Sequence, residues 1–148
     1  MNRAVAVVEA SESAKELVRE AGELAEGVGA SLVLLHVTSD EEYEDTRKSL
    51  ENIPNLETSY TAGQALEGTR QFAEDIGREV LDGIDVDYEA VGRVGDERDQ
   101  ILGAAEEFDC DHVFLAGRKR SPTGKAIFGD RTQAVILDFD GAVTVVTE

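Results

Sequence analysis

Val113-Phe114-Leu115-Ala116-Gly117-Arg118-Lys119-Arg120-Ser121-Pro122-Thr123-Gly124-Lys125-Ala126-Ile127-Phe128-Gly129-Asp130-Arg131 is the stretch whose reading decides the fold. It begins as a short apolar run, the pattern of a buried strand, and apolar residues recur at helical spacing from Arg131 to Leu137. Between the two lies a polar loop with glycines at 117, 124 and 129 and four cations, Arg118, Lys119, Arg120 and Lys125. A strand that feeds a glycine-rich loop and then a helix turns backbone N–H groups towards one point, where they and the cations suit a phosphate. The same residues would serve as a solvated basic connection. Three glycines and four cations at one strand-to-helix junction favour a ligand site over that plainer role.

Outward from this stretch the alternation repeats. Arg3–Val8, Ser31–Val37, Val86–Val91, His112–Ala116 and Ala142–Val146 are apolar, β-branched runs that read as strands. A first helix carries Leu17, Ala21, Leu24, Ala25 and Val28 at helical spacing; Ser11 or Ser13 is its expected cap, Glu16 completes a capping box, and Gly29 ends it. A second runs from Ala65 to near Gly83, and a third opens at the expected N-cap Asp96 with Ile101, Leu102, Ala105 and Phe108 inward. Asp130 is the expected N-cap of the short helix at Arg131–Leu137. Residues 38–61 are polar and acidic and read as a surface excursion, with room for a short helix at Tyr43–Leu50. The sum is an α/β protein, a five-stranded parallel sheet with helices on both faces, in a single domain over residues 1–148.

Such sheets bind ligands beyond the carboxyl ends of their strands, where the strand order reverses. That selects Val8-Glu9-Ala10-Ser11, Val37-Thr38, Val91-Gly92-Arg93 and Ala116-Gly117. Glu9 is placed either to accept hydrogen bonds from a ribose or an adenine amino group or to stand as a solvated carboxylate. His36 and His112 lie inside apolar strands without carboxylate or cysteine companions, so both read as packed residues and no metal site is expected.

The 148 residues carry 32 acidic against 14 basic side chains, a formal charge of −18. The acid is dispersed, its densest run being Asp40–Asp45, which argues against nucleic-acid binding and for a composition of haloarchaeal type, suited to a salt-loaded cytoplasm. Cys110 is the only cysteine, which excludes an internal disulfide and fits a reducing, cytoplasmic setting. No apolar run approaches the roughly 18 residues of a membrane span, and no signal peptide opens the chain, so no membrane association is expected.

The strand and helix order, Val7-Val8-Glu9-Ala10-Ser11, Leu34-Leu35-His36-Val37, Gly95-Asp96 and the Gly117–Gly129 loop resemble the universal stress protein family over essentially the whole chain. The resemblance implies a flavodoxin-like sheet of the adenine-nucleotide alpha hydrolase-like type, dimerisation through the last strand, here Ala142–Val146, and binding of ATP or AMP. It also implies that a motif G-x2-G-x9-G-S/T cradles the phosphates, with Gly117 at its first glycine and Gly129 at its last, and that the Val37 backbone meets the adenine. Arg120 stands at the motif's second glycine, the spacing to Gly129 is one residue short, Asp130 replaces the hydroxyl residue, and Glu9 replaces the usual aspartate. The expected nucleotide site is thus Glu9, Val37, Gly117, Arg118, Arg120, Ser121, Gly124, Gly129 and Asp130. The loop is no Walker A sequence, because six residues separate Gly117 from Gly124 and Ala126 follows Lys125. With no nucleophile–histidine–acid set or paired carboxylates in the sequence, the expected function is stress-related nucleotide binding, not catalysis, with weak ATP hydrolysis left open. The competing expectation is a nucleotide-independent homodimeric adaptor for protein partners.

Overall fold

Residues 1–51, 62–117 and 129–147 are described by a computed structural model, and their strands follow the apolar runs of the sequence. The elements run β1 (Arg3–Val7), α1 (Ser13–Val28), β2 (Ser31–Thr38), α2 (Asp40–Glu51), α3 (Ala62–Val80), β3 (Tyr88–Val94), α4 (Glu97–Glu107), β4 (His112–Gly117), α5 (Asp130–Asp138) and β5 (Ala142–Thr147). All five strands are parallel, in the order β3-β2-β1-β4-β5.

Side chains alternate across the sheet, so each strand feeds two cores. Ala4, Ala6, Val8, Leu32, Leu34 and Phe114 pack beneath Leu17, Val18 and Ala21 of α1 and Ala73 and Val80 of α3. Val5, Val7, Val33, Leu35, Val113 and Leu115 face the other way, against Ile101, Ala104 and Ala105 of α4 and Val135 of α5. Two helices therefore cover each face, as the near-continuous apolar runs require of a sheet buried on both sides. Cys110 is a packed residue of the second core, where burial raises its thiol to about 11.

Four local expectations need correction. Residues 40–51 form a full helix, longer than the short segment expected, because Ser39 caps it, its hydroxyl accepting from the Glu42 N–H at 3.1 Å, and three acids lie in its first turn. The third strand starts at Tyr88: the Val86 N–H turns back to the Ile84 carbonyl, and the ladder to β2 opens at the Asp87 carbonyl. Its carboxyl end is accordingly Val94, not Val91. The N-cap of α1 is Glu12 in helical backbone geometry, with no side-chain cap; the Ser11 and Ser13 hydroxyls instead bond each other at 3.0 Å. In α5 the N-cap is Gly129, so Asp130 is the first helical residue and acts on the helix dipole alone. The expected cap of α4 is as read, Asp96 accepting from the Asp99 N–H at 3.1 Å.

Candidate functional site

The chain lays β2 and β3 to one side of β1 and returns to place β4 on the other, so the strand order reverses between β1 and β4. The crevice expected at such a reversal is present. A cleft of about 260 Å³ opens at the carboxyl end of β1, lined by Glu9 and Ser11 from the turn after the strand, His36 and Val37 of β2, Glu42 of α2, Glu97 of α4 and Arg131 of α5. A second, larger hollow of about 640 Å³ adjoins it and is lined by Ser39, Asp96, Glu97, Arg98, Asp130 and Arg131 among others.

Each lining residue is placed by a specific local device. The Gly95 N–H bonds the Thr38 carbonyl at 3.0 Å and its φ of 147° is one that a side chain would strain, so the chain turns sharply from β3 and delivers Glu97 to the cleft. Buried Thr132 donates to the Ala116 carbonyl at 3.3 Å, which ties the first turn of α5 to the end of β4 and sets Arg131 over the crevice. The His36 ring bonds the Val8 carbonyl through Nδ1 and packs on Phe72 with centroids 4.3 Å apart, while burial lowers its pKa from 6.5. It is a packed, neutral residue with one edge on the cleft, and His112, bonded to the Thr144 hydroxyl at 2.7 Å, is packed likewise.

The centre of the cleft is an ion cluster. The Arg131 guanidinium bonds Glu9 Oε1 through Nη2 and Glu97 Oε2 through Nη1, the latter at 2.5 Å. Burial lowers the arginine's pKa, yet a guanidinium starts so high that it stays charged. Burial, with Glu42 and Asp96 nearby, pushes the Glu97 carboxyl up. Arg131 Nε is inaccessible to solvent and has no hydrogen-bond partner among the described residues.

Of the expected site residues, Glu9 and Val37 meet in the cleft and Asp130 lines the adjoining hollow. The Glu9 carboxylate does not stand open for a ribose or adenine; Arg131 holds it. Gly117 is buried at the end of β4, level with Thr147 of β5, and Gly129 opens α5. Arg118, Arg120, Ser121 and Gly124 lie outside the described residues. Glu42, Glu97 and Arg131 were not anticipated. Among the described residues, no group of three or more His, Cys, Asp or Glu is arranged to hold a metal, and no helix is long and apolar enough to cross a membrane.

Fold and cleft together define a doubly wound α/β protein with a charged crevice at its switch point. The sequence profile of the Universal stress protein family matches residues 1–147, and the chain belongs to that family. Solved structures agree in fold. A universal stress protein from Archaeoglobus fulgidus is 27% identical with a TM-score of 0.64, the alignment covering 98% of this chain and 97% of that one. A universal stress protein in complex with cAMP is 17% identical with a TM-score of 0.65, over 99% and 96% of the two chains. The Archaeoglobus fulgidus protein in complex with dAMP is 20% identical with a TM-score of 0.59, over 98% and 96%. No curated protein sequence matches the chain.

Proposed function

We propose that this chain is a cytoplasmic stress-response protein that binds an adenine nucleotide weakly in the cleft at the end of β1. The supporting observation is the position of the cleft: Val37, Glu9 and Arg131 converge at the strand-order reversal, in a fold whose relatives have been solved with cAMP and dAMP. Asp130 in the first turn of α5 sets a like charge near any triphosphate, which is why the affinity is weak and ATP gains little over AMP. Calorimetry on the wild type and on Asp130→Ser, in the same salt, tests the reading. Binding in the high micromolar range or poorer is expected, with ATP tightened by the serine. Stoichiometric ATP copurifying with the wild type would overturn the role given to Asp130, and binding of nucleotide to neither form would overturn the nucleotide site and leave the adaptor reading in its place.

The chain is also proposed to pair with a second copy through β5. That strand ends the sheet order, Val143, Val145 and Val146 on it are only partly covered, and Leu137 of the preceding helix is 81% exposed. An edge of this composition invites antiparallel pairing with its own copy.

A further inference from the structure

We propose that Arg131 is the residue that meets the phosphate of the bound nucleotide, and that Glu97 holds it in reserve until the ligand arrives. This rests on the nucleotide reading above and assigns the cation and the regulation of that same cleft. Arg131 is the only cation among the described residues that line the cleft. Its fork is shared between carboxylates from two separate elements, Glu9 after β1 and Glu97 at the start of α4. Its Nε is closed to water and has no partner among the described residues, a donor that a native site seldom leaves without an acceptor. A guanidinium offers five N–H groups in a planar fork suited to two oxygens of one phosphate, so a ligand phosphate can replace Glu97 at Nη1, and a rotation of the freed guanidinium would bring the Nε–H to a second oxygen.

Of the two carboxylates Glu97 is the one placed to yield. Glu42 of α2 and Asp96 next to it in sequence repel its charge, and it is partly desolvated. Both carboxylates bond Arg131, Glu9 at Nη2 and Glu97 at Nη1, so the repulsion from Glu42 and Asp96 is what singles out Glu97. When phosphate takes Arg131, Glu97 loses its cation and gains an anionic neighbour, so its proton affinity rises. Affinity therefore rises as pH falls. The charged and titratable groups that share the two hollows with Glu97 are Glu9 after β1, His36 on β2, Asp40, Glu41 and Glu42 on α2, Asp96 and Arg98 at the start of α4, and Asp130 and Arg131 on α5. His36 would also favour its proton beside a phosphate, so the Glu97 contribution is isolated by substitution.

The test is calorimetric titration of AMP into the full chain, wild type and variants, at neutral and mildly acid pH, with a thermal melt of each variant. Glu97→Gln is expected to tighten AMP about tenfold and to flatten the pH dependence. Glu42→Gln removes the same charge from the same cleft without freeing Arg131 and is expected to change affinity less than about threefold. Adding Arg131→Gln to Glu97→Gln should erase the gain. AMP bound with equal affinity by the wild type, Glu97→Gln and Arg131→Gln would overturn this proposal while leaving the nucleotide site in place. Equal gains in Glu97→Gln and Glu42→Gln would overturn it as a general charge effect, and binding by no form would overturn both proposals. If Glu97→Gln does not fold, proton uptake on binding AMP, measured in buffers of different ionisation heat for the wild type and for His36→Gln, decides the matter: uptake retained in His36→Gln supports the mechanism and its absence there ends it.

Discussion

Replacing Gly92 with alanine should cost this protein about 3 kcal/mol of stability, at the upper end of the usual range for overpacking a core. The figure follows from what the added methyl group would meet. It would press on the backbone nitrogen of Arg70 and lie 2.6 Å from the Leu66 carbonyl oxygen and 2.9 Å from the Arg70 Cα, all of them main chain of α3. A side chain could swing away, but a helix backbone cannot, so α3 must lift from β3 along the contact that also buries Ala73 and Ala90. Gly68, about half a turn from both Leu66 and Arg70 and so on the opposite face of the same helix, is the control. Nothing lies within 4 Å of a methyl group there, and alanine should stabilise the helix interior by about 1 kcal/mol. Equilibrium denaturation in molar salt measures both, and for a chain of this size the Gly92→Ala deficit corresponds to a Tm lower by roughly 10 °C. A Gly92→Ala protein within about 1 kcal/mol of the wild type would refute the close approach of β3 to α3.

Other outcomes are equally open to measurement. With a formal charge of −18, the Tm should climb steeply from dilute buffer to molar salt, where the screening length falls to about 3 Å, and a salt-independent Tm would count against a halophilic origin. Light scattering in high salt should give roughly twice the 16.0 kDa chain mass, and a clean monomer at micromolar concentration would end the β5 pairing proposal. Burial lowers the pKa of His36 from 6.5, so the folded state resists a proton that the unfolded chain accepts. Its contribution is therefore complete above that value and is lost as pH falls through the lower folded-state pKa; urea unfolding should show a slope on the acid side that is shallower in His36→Gln.

The sheet was legible because its central strands are nearly unbroken apolar runs: Val5 and Val7 serve one core while Ala4 and Ala6 serve the other, whereas β3, interrupted by Glu89 and Arg93, was the strand whose bounds were misplaced. The helix at residues 40–51 was read only in part because it has almost no apolar face. Ser39 at its start and the Glu44–Arg47 ion pair at 2.8 Å, three residues apart, support it instead. Two cap positions, those of α1 and α5, failed for a different reason. Ser13 and Asp130 are good capping types, but the turn before α1 is itself helical and the residue before α5 is a glycine, so each falls one place inside its helix. The Glu9–Arg131–Glu97 cluster was invisible because its members lie far apart in sequence and only the return of the chain past β1 brings them together. The available signal was positional: a charged residue just after a strand and two at the starts of helices, all at the end of the sheet where the order reverses.

The strand order has a consequence for how the chain comes off the ribosome. The central strand β1 can pair at once with β2, Val5 against Val33, because only α1 intervenes. Its other side must wait for β4, where Val5 meets Val113 and Ala6 meets Phe114. At translation rates of about 5–20 residues per second, that side stands open for roughly 5 to 20 s in a nascent half-sheet whose buried strand β1 has an unpaired edge. Contacts of such sequence separation also slow refolding in the test tube. The acidic coat of the helices already synthesised then has a second use: it keeps neighbouring nascent chains apart while the middle of the sheet waits for its last partner.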